Sequence, residues 1–361
     1  MPDNNDETLE NGSIVGKRFK VLQKLGEGGC GAVFKVEDIE EKGSLYALKV
    51  EFNSANVGNV LKMEVQILSQ LIKKRHVAKC IASGKRHKFT YMVMTLLGES
   101  LESIVDKHGP FLNVSSQMRI GICLLFGIKQ IHDIGYLHRD LKPANVALGY
   151  KGSFEERYFL VIDFGLARSY ITEDENGKKI LRRPRDRPHF RGTARYCSVA
   201  MHDRFEQGRV DDLWALVYIL AELRCKLPWN DLDDKEQIGP VKRKTPDESL
   251  FAKSPVQMLE FVNIVRNTGF YDRPDYEKLF KLLDEVMKKA DYKWSDPYHW
   301  EPEHKKNVAE KKKKKNKDEV ADSTKKVVNA KANTPKTKTD SFETDVPYFT
   351  LSDFKANPIG F

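Results

Sequence analysis

Apolar side chains recur with two different periods along this chain, and the two periods divide it into a strand-rich and a helix-rich part. Nearly every second position is apolar in residues 19–25 and again in residues 32–36, on either side of a glycine-rich turn. Alternation of this kind is typical of antiparallel strands with one buried face. Short apolar runs at residues 46–50, 91–94 and 159–162 predict further strands.

Helical spacing appears once among these strands and then dominates the chain. Residues 59–71 carry an apolar stripe with Glu64 beside it, and beyond Gly98 the same spacing runs through residues 101–105 and 120–131. Apolar residues three and four apart form one face of a helix, and such faces pack into a core. The sequence therefore predicts an α+β fold, with an antiparallel β-rich first part that holds one key helix and a larger, mainly α-helical second part.

The composition is that of a globular protein with reduced thiols. Of 361 residues, 40% are hydrophobic, which is enough for a sizeable core. The five cysteines are odd in number and widely spaced, which argues against a disulfide framework or a zinc site. The acidic start is unlike a signal peptide, and the longest apolar run, residues 213–223, is far shorter than the roughly 20 residues of a membrane span. We expect no membrane span and a cytoplasmic protein, with a nuclear fraction as a further expectation.

The net charge of +9 is concentrated toward the end of the chain. Residues 301–361 hold nearly half of the excess, including the run Lys311–Lys315, and show almost no apolar periodicity. We predict a lysine-rich disordered tail over residues 301–361 and a disordered start over residues 1–15. The lysine run could direct nuclear import, contact anions or simply be solvated. The final aromatic segment, residues 347–361, is apolar enough to dock on the domain or on a partner.

The candidate chemistry begins with the stretch Tyr136–Asn145, which reads Y-L-H-R-D-L-K-P-A-N. It places a carboxylate at Asp140, an amine at Lys142 and an amide at Asn145 in one short loop. A carboxylate can orient a hydroxyl and accept its proton, an ammonium can offset charge on a moving phosphoryl group, and an amide oxygen can bind Mg²⁺. The tripeptide H-R-D alone would mean little, but the extended stretch indicates phosphoryl transfer to a hydroxyl.

Three glycines in the turn between the first two strands could hold phosphates. Gly26, Gly28 and Gly31 stand at the first, third and sixth positions, where backbone N–H groups can approach phosphate oxygens. An ordinary hairpin would also explain them. Because the turn joins two strands and not a strand to a helix, it favours a nucleoside triphosphate over a dinucleotide, with Val33 covering the adenine ring.

Charged residues on apolar elements complete the predicted site. Lys49 lies in a predicted strand and Glu64 on the apolar stripe of a helix, and a carboxylate on a buried face needs a partner. We predict an ion pair that holds Lys49 against the α- and β-phosphates, with a surface lysine on an edge strand as the simpler alternative. Asp163, at the end of another predicted strand, would join Asn145 in binding Mg²⁺.

With these motifs, residues 14–300 resemble a eukaryotic protein kinase, and within that family the casein kinase I group. The string L-L-G-E-S-L-E at Leu96–Glu102 and G-T-A-R-Y at Gly192–Tyr196 are similar to that group. The string G-R-V-D-D-L-W at Gly208–Trp214 is most similar to its tau-tubulin kinase branch. The resemblance implies a protein serine/threonine kinase that uses ATP and Mg²⁺.

The resemblance also implies a two-lobed fold and assigns further residues. Residues 16–95 would form the N-lobe and residues 98–300 the C-lobe, joined by a hinge over residues 95–98. It implies that Thr193 lies beside the catalytic carboxylate and that Asp212 braces the catalytic loop. The further residues that it implies for the ATP pocket are Leu25, Ala47, Met94, Thr95 and Leu97.

The chain departs from the family pattern at two places. Cys30 stands at the tip of the glycine loop, where an aromatic residue is common, so coverage of the phosphates would be looser. Ser198–Ala200 replaces the A-P-E motif, which leaves Arg273 without that motif's glutamate and the anchor of the activation segment open. Hydroxyls are few between residues 163 and 200, so we predict activity without phosphorylation of this segment.

The activation segment is strongly basic over residues 178–195. Because arginine binds phosphate and carboxylate through two parallel hydrogen bonds, the hypothesis is a substrate site formed by Arg191, Thr193 and Arg195. It would favour proteins that are acidic or already phosphorylated near the target hydroxyl. A solvated, mobile loop and a nucleic-acid contact are the alternatives. We expect protein substrates, no dedicated nucleic-acid site and a monomer.

Two other functions stay open from the residues alone. One is a catalytically weak pseudokinase that serves as a binding scaffold, and the other is a nucleotide-binding protein of a different class. No polar group that phosphoryl transfer requires is missing from the sequence, which favours the enzyme.

Overall fold

The structure is a computed structural model that describes residues 9–28, 31–52, 60–304 and 348–361. Cys30 and the run Lys311–Lys315 lie outside the described residues, so the predictions for them stay predictions. No helix within the described ranges combines the length and the apolar character that crossing a bilayer requires.

One antiparallel sheet of six strands forms the N-lobe. Its strands are β1 (Ile14–Val15), β2 (Phe19–Gly28), β3 (Gly31–Asp38), β4 (Leu45–Phe52), β5 (Cys80–Lys85) and β6 (Phe89–Thr95). They are hydrogen-bonded in the order β1-β2-β3-β4-β6-β5. Buried and partly exposed residues alternate along β3, because successive side chains of a strand point to opposite faces. The strands predicted from alternation are confirmed.

The sheet begins earlier than the sequence predicts. Disorder is expected over residues 1–15, but β1 pairs with β2, and Val15 is only 3% exposed. The N–H of Gly12 donates to the carbonyl of Val21, and the N–H of Val21 donates to the carbonyl of Ser13. The prediction is therefore wrong for residues 9–15, because backbone hydrogen bonds and a buried valine tie them to the sheet.

One helix, α1 (Val60–Gln70), accompanies the sheet and carries Glu64. The sequence predicts this helix over residues 59–71. Leu61, Glu64, Ile67 and Leu68 form its buried face. Glu64 is therefore held on the apolar side of α1, where it needs a partner.

The C-lobe is built from helices around a long central one. Its helices are α2 (Leu101–His108), α3 (Val114–Asp133), α4 (Val199–His202), α5 (Arg209–Glu222), α6 (Lys235–Lys244), α7 (Asp247–Leu250), α8 (Gln257–Arg266) and α9 (Tyr276–Lys289). Nearly all of α3 is buried, and it packs against α5 and α9. The predicted α+β architecture is confirmed.

The C-lobe also contains short strands, which pair with one another. They are β7 (Leu97–Ser100), β8 (Tyr136–Leu137), β9 (Val146–Gly149), β10 (Phe159–Val161), β11 (Arg168–Ser169), β12 (Ile171–Glu173) and β13 (Lys179–Leu181). β9 lies between β7 and β10, β8 pairs with β11, and β12 with β13. The predicted catalytic loop leaves β8 and enters β9 through a 3-10 helix, Pro143–Asn145. Both of its ends are therefore fixed by strand pairing.

The end of the chain packs on the C-lobe and includes a last helix, α10 (Leu351–Lys355). Disorder over residues 301–361 is predicted from charge and low periodicity, yet Phe349 and Phe354 are buried in the main core. The prediction is wrong for residues 348–361 because two aromatic rings anchor this segment. The alternative of docking on the domain describes it. Residues 305–347 lie outside the described residues.

Candidate active site

A buried carboxylate holds the catalytic loop from below. Asp212, at the start of α5, accepts hydrogen bonds of 2.8 Å from the backbone N–H groups of His138 and Arg139. It also contacts Nε2 of His132 at 2.9 Å. Burial would raise the pKa of Asp212, but the hydrogen bonds from His132 and from the His138 N–H hold it below the ordinary value. Asp212 thus braces the loop, as the family resemblance implies.

The loop presents Asp140 with three polar partners. Its carboxylate accepts a 2.7 Å hydrogen bond from Oγ1 of Thr193 and lies 3.2 Å from Nζ of Lys142. Nδ2 of Asn145 donates to the Asp140 carbonyl at 2.9 Å and lies 3.3 Å from its carboxylate. The backbone of Arg139, just before it, is left-handed with φ of 67°. This bend is costly for a residue with a side chain, and Asp212 stabilises it through the Arg139 N–H.

A lysine bridges two carboxylates at the junction of the lobes. Nζ of Lys49 lies 2.6 Å from Glu64 and 3.3 Å from Asp163. Burial would lower the pKa of Lys49, but the charges of Glu64 and Asp163 raise it above the ordinary value. For Asp163, burial would raise the pKa, and the charge of Lys49 together with the Gly165 N–H lowers it. The predicted pair of Lys49 and Glu64 is present, and burial raises the pKa of Glu64 against the opposing charge of Lys49.

The donor atoms around Asn145 and Asp163 fit a divalent cation. Asn145 uses its Nδ2 on Asp140, which turns its amide oxygen away from that bond. Oδ1 of Asp163 is bound by Lys49 and by the N–H of Gly165, which leaves Oδ2 without a hydrogen bond among the described residues. Those residues contain no group of three or more His, Cys, Asp or Glu side chains that could hold a metal alone. The set suits Mg²⁺, which binds few carboxylates and completes its shell with phosphates and water.

The glycines of the loop differ in what surrounds them. A Cβ on Gly26 or Gly28 would meet nothing within 4 Å, so both positions border open space. A Cβ on Gly31 would lie 1.8 Å from the carbonyl oxygen of Val50, so the neighbouring strand alone requires glycine there. Close packing against β4 therefore requires glycine at position 31, whether or not a phosphate is bound.

The remaining residues predicted to bind ATP lie on strands of the N-lobe sheet and at the hinge. Ala47 and Met94 are buried opposite each other on β4 and β6, while Leu25 is about half exposed and Val33 is partly buried. The N–H of Thr95 donates to the carbonyl of Lys79 at 3.0 Å, so it is not available to an adenine edge. Leu97 begins β7, opposite Gly149 of β9. A hinge N–H that donates to the adenine ring would therefore belong to a residue after Thr95.

The predicted substrate residues differ in their surroundings. Thr193 contacts Asp140, and Gly192 before it has φ of 96°, where an added Cβ would lie 2.6 Å from the Arg139 carbonyl. Arg195 is engaged within the fold, because it donates to the Asn230 carbonyl at 2.7 Å and lies 3.5 Å from Glu222. Arg191 is exposed. Of the two arginines, Arg191 is the one that faces solvent.

Two residues of this region are not predicted from the sequence. Lys242 on α6 is buried, and its Nζ donates to the carbonyls of Ala194 and Cys197. Glu206 accepts hydrogen bonds from the side chain of Arg185 in the activation segment. Neither has a local sequence signal, because both partners lie far away along the chain.

Comparison with known proteins gives the same picture as the geometry. Residues 19–296 match the protein kinase domain. A Caenorhabditis elegans protein named as a candidate serine/threonine-protein kinase is 67% identical over 362 residues, which cover all of both chains. A casein kinase I homolog of Kluyveromyces lactis is 32% identical over 300 residues, 81% of this chain and 55% of that one. An inactive tau-tubulin kinase of Caenorhabditis elegans is 31% identical over 235 residues, 63% of this chain and 81% of that one.

Proposed function

This chain belongs to the protein kinase family and is a serine/threonine protein kinase by its domain and relatives, and from that premise we propose which residues carry the transfer and which proteins accept it. Family membership brings ATP as the phosphoryl donor, a divalent cation and protein substrates. The observation that carries the proposal is the convergence on Asp140, where a hydroxyl, an ammonium and an amide lie within 3.3 Å of one carboxylate.

In the proposed mechanism, Asp140 orients the serine or threonine hydroxyl of the substrate and accepts its proton. Lys142 offsets the charge that develops on the transferred phosphoryl group, and Lys49 holds the α- and β-phosphates. Asn145 and Asp163 would hold Mg²⁺, which neutralises phosphate charge when it is bound. The glycine loop, over Gly26 and Gly28, excludes water. Catalysis rests on positioning and electrostatics, because the protein forms no covalent bond with the phosphoryl group.

The test is phosphate transfer from labelled ATP with Mg²⁺ to casein. We expect the wild-type chain to label casein and the variants Asp140→Asn and Asp163→Asn to lose at least about a hundredfold in kcat, because the first removes the proton acceptor and the second removes the carboxylate that would hold the cation. Circular dichroism should show all three chains folded. A wild-type chain without turnover under these conditions would support the scaffold alternative.

We propose that the preferred substrates are acidic or already phosphorylated beside the target hydroxyl. Arg191 supports this proposal because it is exposed in a strongly basic segment next to Thr193. An arginine can bind a phosphate or carboxylate through two hydrogen bonds. Arg195 would contribute only after giving up its contact with Asn230.

Replacement of Arg191 by alanine should therefore raise the KM for an acidic or phosphorylated peptide by about tenfold, the size of one exposed to partly buried charged contact. The KM for ATP should stay unchanged. Lys288→Ala is the matched control, because Lys288 is 77% exposed on α9 and carries the same charge. Equal preferences in peptide arrays for the Arg191 variant and the wild type would remove the basis of this proposal.

Two broader proposals accompany the mechanism. We propose that the chain acts as a monomer and works in the cytoplasm with a nuclear fraction. Among the described residues, Cys80, Cys123, Cys197 and Cys225 form no disulfide, which supports a reducing compartment. The lysine run that would serve nuclear import lies outside the described residues.

A further inference from the structure

The last described segment of the chain, residues 348–361, is here called the C-terminal strap. Its helix, α10, buries the ring of Phe354 completely. That ring stacks on Phe280 of α9 with centroids 4.3 Å apart, and it meets Phe126 of α3 edge-on at 5.8 Å. The strap is therefore seated between two main helices of the C-lobe.

A second ring of the strap reaches the N-lobe side. Phe349 lies 5.0 Å from Phe126, 5.2 Å from Trp294 and 5.4 Å from His76, measured between ring centroids. His76 belongs to the loop of residues 71–79, which joins α1 to β5. The ring of Phe349 thus contacts both aromatic rings of the C-lobe and this loop of the N-lobe.

Polar contacts join the strap to the same loop. Arg75 donates to Asp353 at 2.7 Å and to the carbonyl of Tyr348 at 3.5 Å. Asp353 also accepts a 2.7 Å hydrogen bond from the N–H of Thr350, which caps the start of α10. One carboxylate therefore caps the strap helix and binds the loop.

The far end of the strap contacts two arginines of the C-lobe. Arg273 donates to the carbonyl of Ala356 at 2.9 Å, and Arg209, the first residue of α5, donates to the carbonyl of Phe361 at 3.0 Å. Arg273 is the residue that the sequence leaves without the glutamate of the A-P-E motif. Its guanidinium is used by the strap instead.

The loop of residues 71–79 leads directly to the active site. It continues α1, whose Glu64 pairs with Lys49. On its other side, Gln130 of α3 donates to the carbonyl of Arg75 at 2.8 Å. The loop is therefore clamped between α3 and the strap, and movement at Arg75 or His76 would be carried along the rigid helix to Glu64.

We propose that the C-terminal strap acts within its own chain to fix the loop of residues 71–79, and that it thereby holds α1 where Glu64 orients Lys49 for ATP. The strap is a positioning element and takes no part in the chemistry. Release of the strap would lower kcat/KM for ATP without altering the residues that bind the protein substrate. This inference rests on the proposed function, since its kinetic part presupposes turnover.

The experiment compares two substitutions on α10 in the full chain. Phe354→Ala removes the buried ring, and Leu351→Ala removes a side chain that is 44% exposed on the same helix. At a temperature where both variants are folded, we expect Phe354→Ala to lower kcat/KM for ATP about fivefold or more, the usual size of coupling between sites. The KM for the protein substrate should stay within about twofold, and Leu351→Ala should behave as the wild type.

A milder variant and a rescue guard against general unfolding. Asp353→Asn keeps a cap acceptor for Thr350 but loses the charge that binds Arg75, and it should show a smaller change in the same direction. A synthetic peptide of residues 348–361, added to the Phe354→Ala chain, should restore kcat/KM for ATP. The same peptide with alanine at position 354 should not restore it.

Hydrogen exchange gives a readout that does not depend on activity. We expect faster exchange over residues 61–79 in Phe354→Ala than in Leu351→Ala. If exchange there is unchanged, or if kcat/KM for ATP matches the wild type in a folded Phe354→Ala chain, the strap has no positioning role. A wild-type chain without turnover would instead refute the proposed function, and the exchange measurement would still decide the contact between strap and α1.

Discussion

At the scale of single residues, the amine of Lys242 is buried among backbone carbonyls and aromatic rings. Its Nζ donates to the carbonyls of Ala194 and Cys197 at 2.8 and 2.5 Å and lies over the rings of Tyr218 and Trp229. Burial lowers the pKa of Lys242 to about 7. Because Ala194 follows the threonine that binds Asp140, this lysine supports the segment beside the catalytic carboxylate.

The lowered pKa of Lys242 makes stability depend on pH. The unfolded chain keeps the ordinary pKa of 10.5, so unfolding takes up a proton between pH 7 and 10.5, and the free energy of unfolding should rise with pH in that window. From pH 7 to 8.5 the expected rise is about 1.5 kcal/mol. In Lys242→Met the rise should largely disappear, as measured by urea unfolding at several pH values.

Lys244→Met serves as the control for this prediction, because Lys244 is exposed on the same helix. It should keep the wild-type dependence on pH. The Lys242 variant should also transfer phosphate more slowly, because two carbonyls beside Thr193 lose their donor. A Lys242→Met chain with the wild-type slope would show that this amine does not titrate near pH 7.

Residue types and order predicted the polar centre of the site but not its supports. Lys49, Glu64 and Asp163 were predictable because each is a charged group on an otherwise apolar element, which signals a buried partner. Lys242 sits in a polar stretch, K-R-K, where an exposed side chain is the natural expectation. Its burial comes from α6 packing under the activation segment, which no local pattern records.

At the scale of elements, the activation segment is held by a carboxylate from outside it. Glu206, just before α5, accepts hydrogen bonds from the backbone N–H of Arg185 at 3.3 Å and from its guanidinium at 3.0 Å. Burial would raise the pKa of Glu206, but Arg185 and the nearby charge of Arg168 hold it below the ordinary value. The negative charge of Glu206 also acts on the guanidinium of Arg139 in the catalytic loop. A fixed carboxylate thus stands among arginines, where other kinases order this segment with a phosphate.

This arrangement predicts activity without phosphorylation of the segment. Protein made in bacteria and treated with phosphatase should transfer phosphate at the full rate. Glu206→Gln should lower kcat several-fold, on the order of one charged hydrogen bond, and Glu206→Asp should recover part of the loss. Turnover that appears only after phosphorylation of Thr172 would contradict the prediction.

The elements that the sequence mispredicted are short ones at the two ends of the chain. Residues 9–15 contribute one buried valine, the pairing of β1 with β2 and backbone hydrogen bonds to Val21, and residues 348–361 contribute two buried rings. Such segments are stabilised by distant parts of the fold, so they show no periodicity of their own. The long elements, such as α3 and the strands of the N-lobe, were predictable because their periods span many residues. The resemblance to the casein kinase I group and its tau-tubulin kinase branch is confirmed by the relatives.

At the scale of the whole molecule, the site exists only where the two lobes meet. Lys49 and Glu64 belong to the N-lobe, whereas Asp163 belongs to the C-lobe, and the 3.3 Å contact between Lys49 and Asp163 joins them. A nucleotide placed between the lobes would add contacts to both, so its binding should stabilise the whole chain.

We therefore expect Mg²⁺ with a non-hydrolysable ATP analogue to raise the thermal midpoint of the wild-type chain. At a concentration of about one hundred times Kd, the added stability is about 2.7 kcal/mol. In Asp163→Asn the analogue alone should still give part of the shift, but addition of Mg²⁺ should add little, because the carboxylate that would hold the cation is gone. Asp231→Asn is the control, since Asp231 is 76% exposed and pairs with Lys226 instead of Lys49. An equal Mg²⁺-dependent shift in the Asp163 variant and the wild type would show that the cation is bound without this carboxylate.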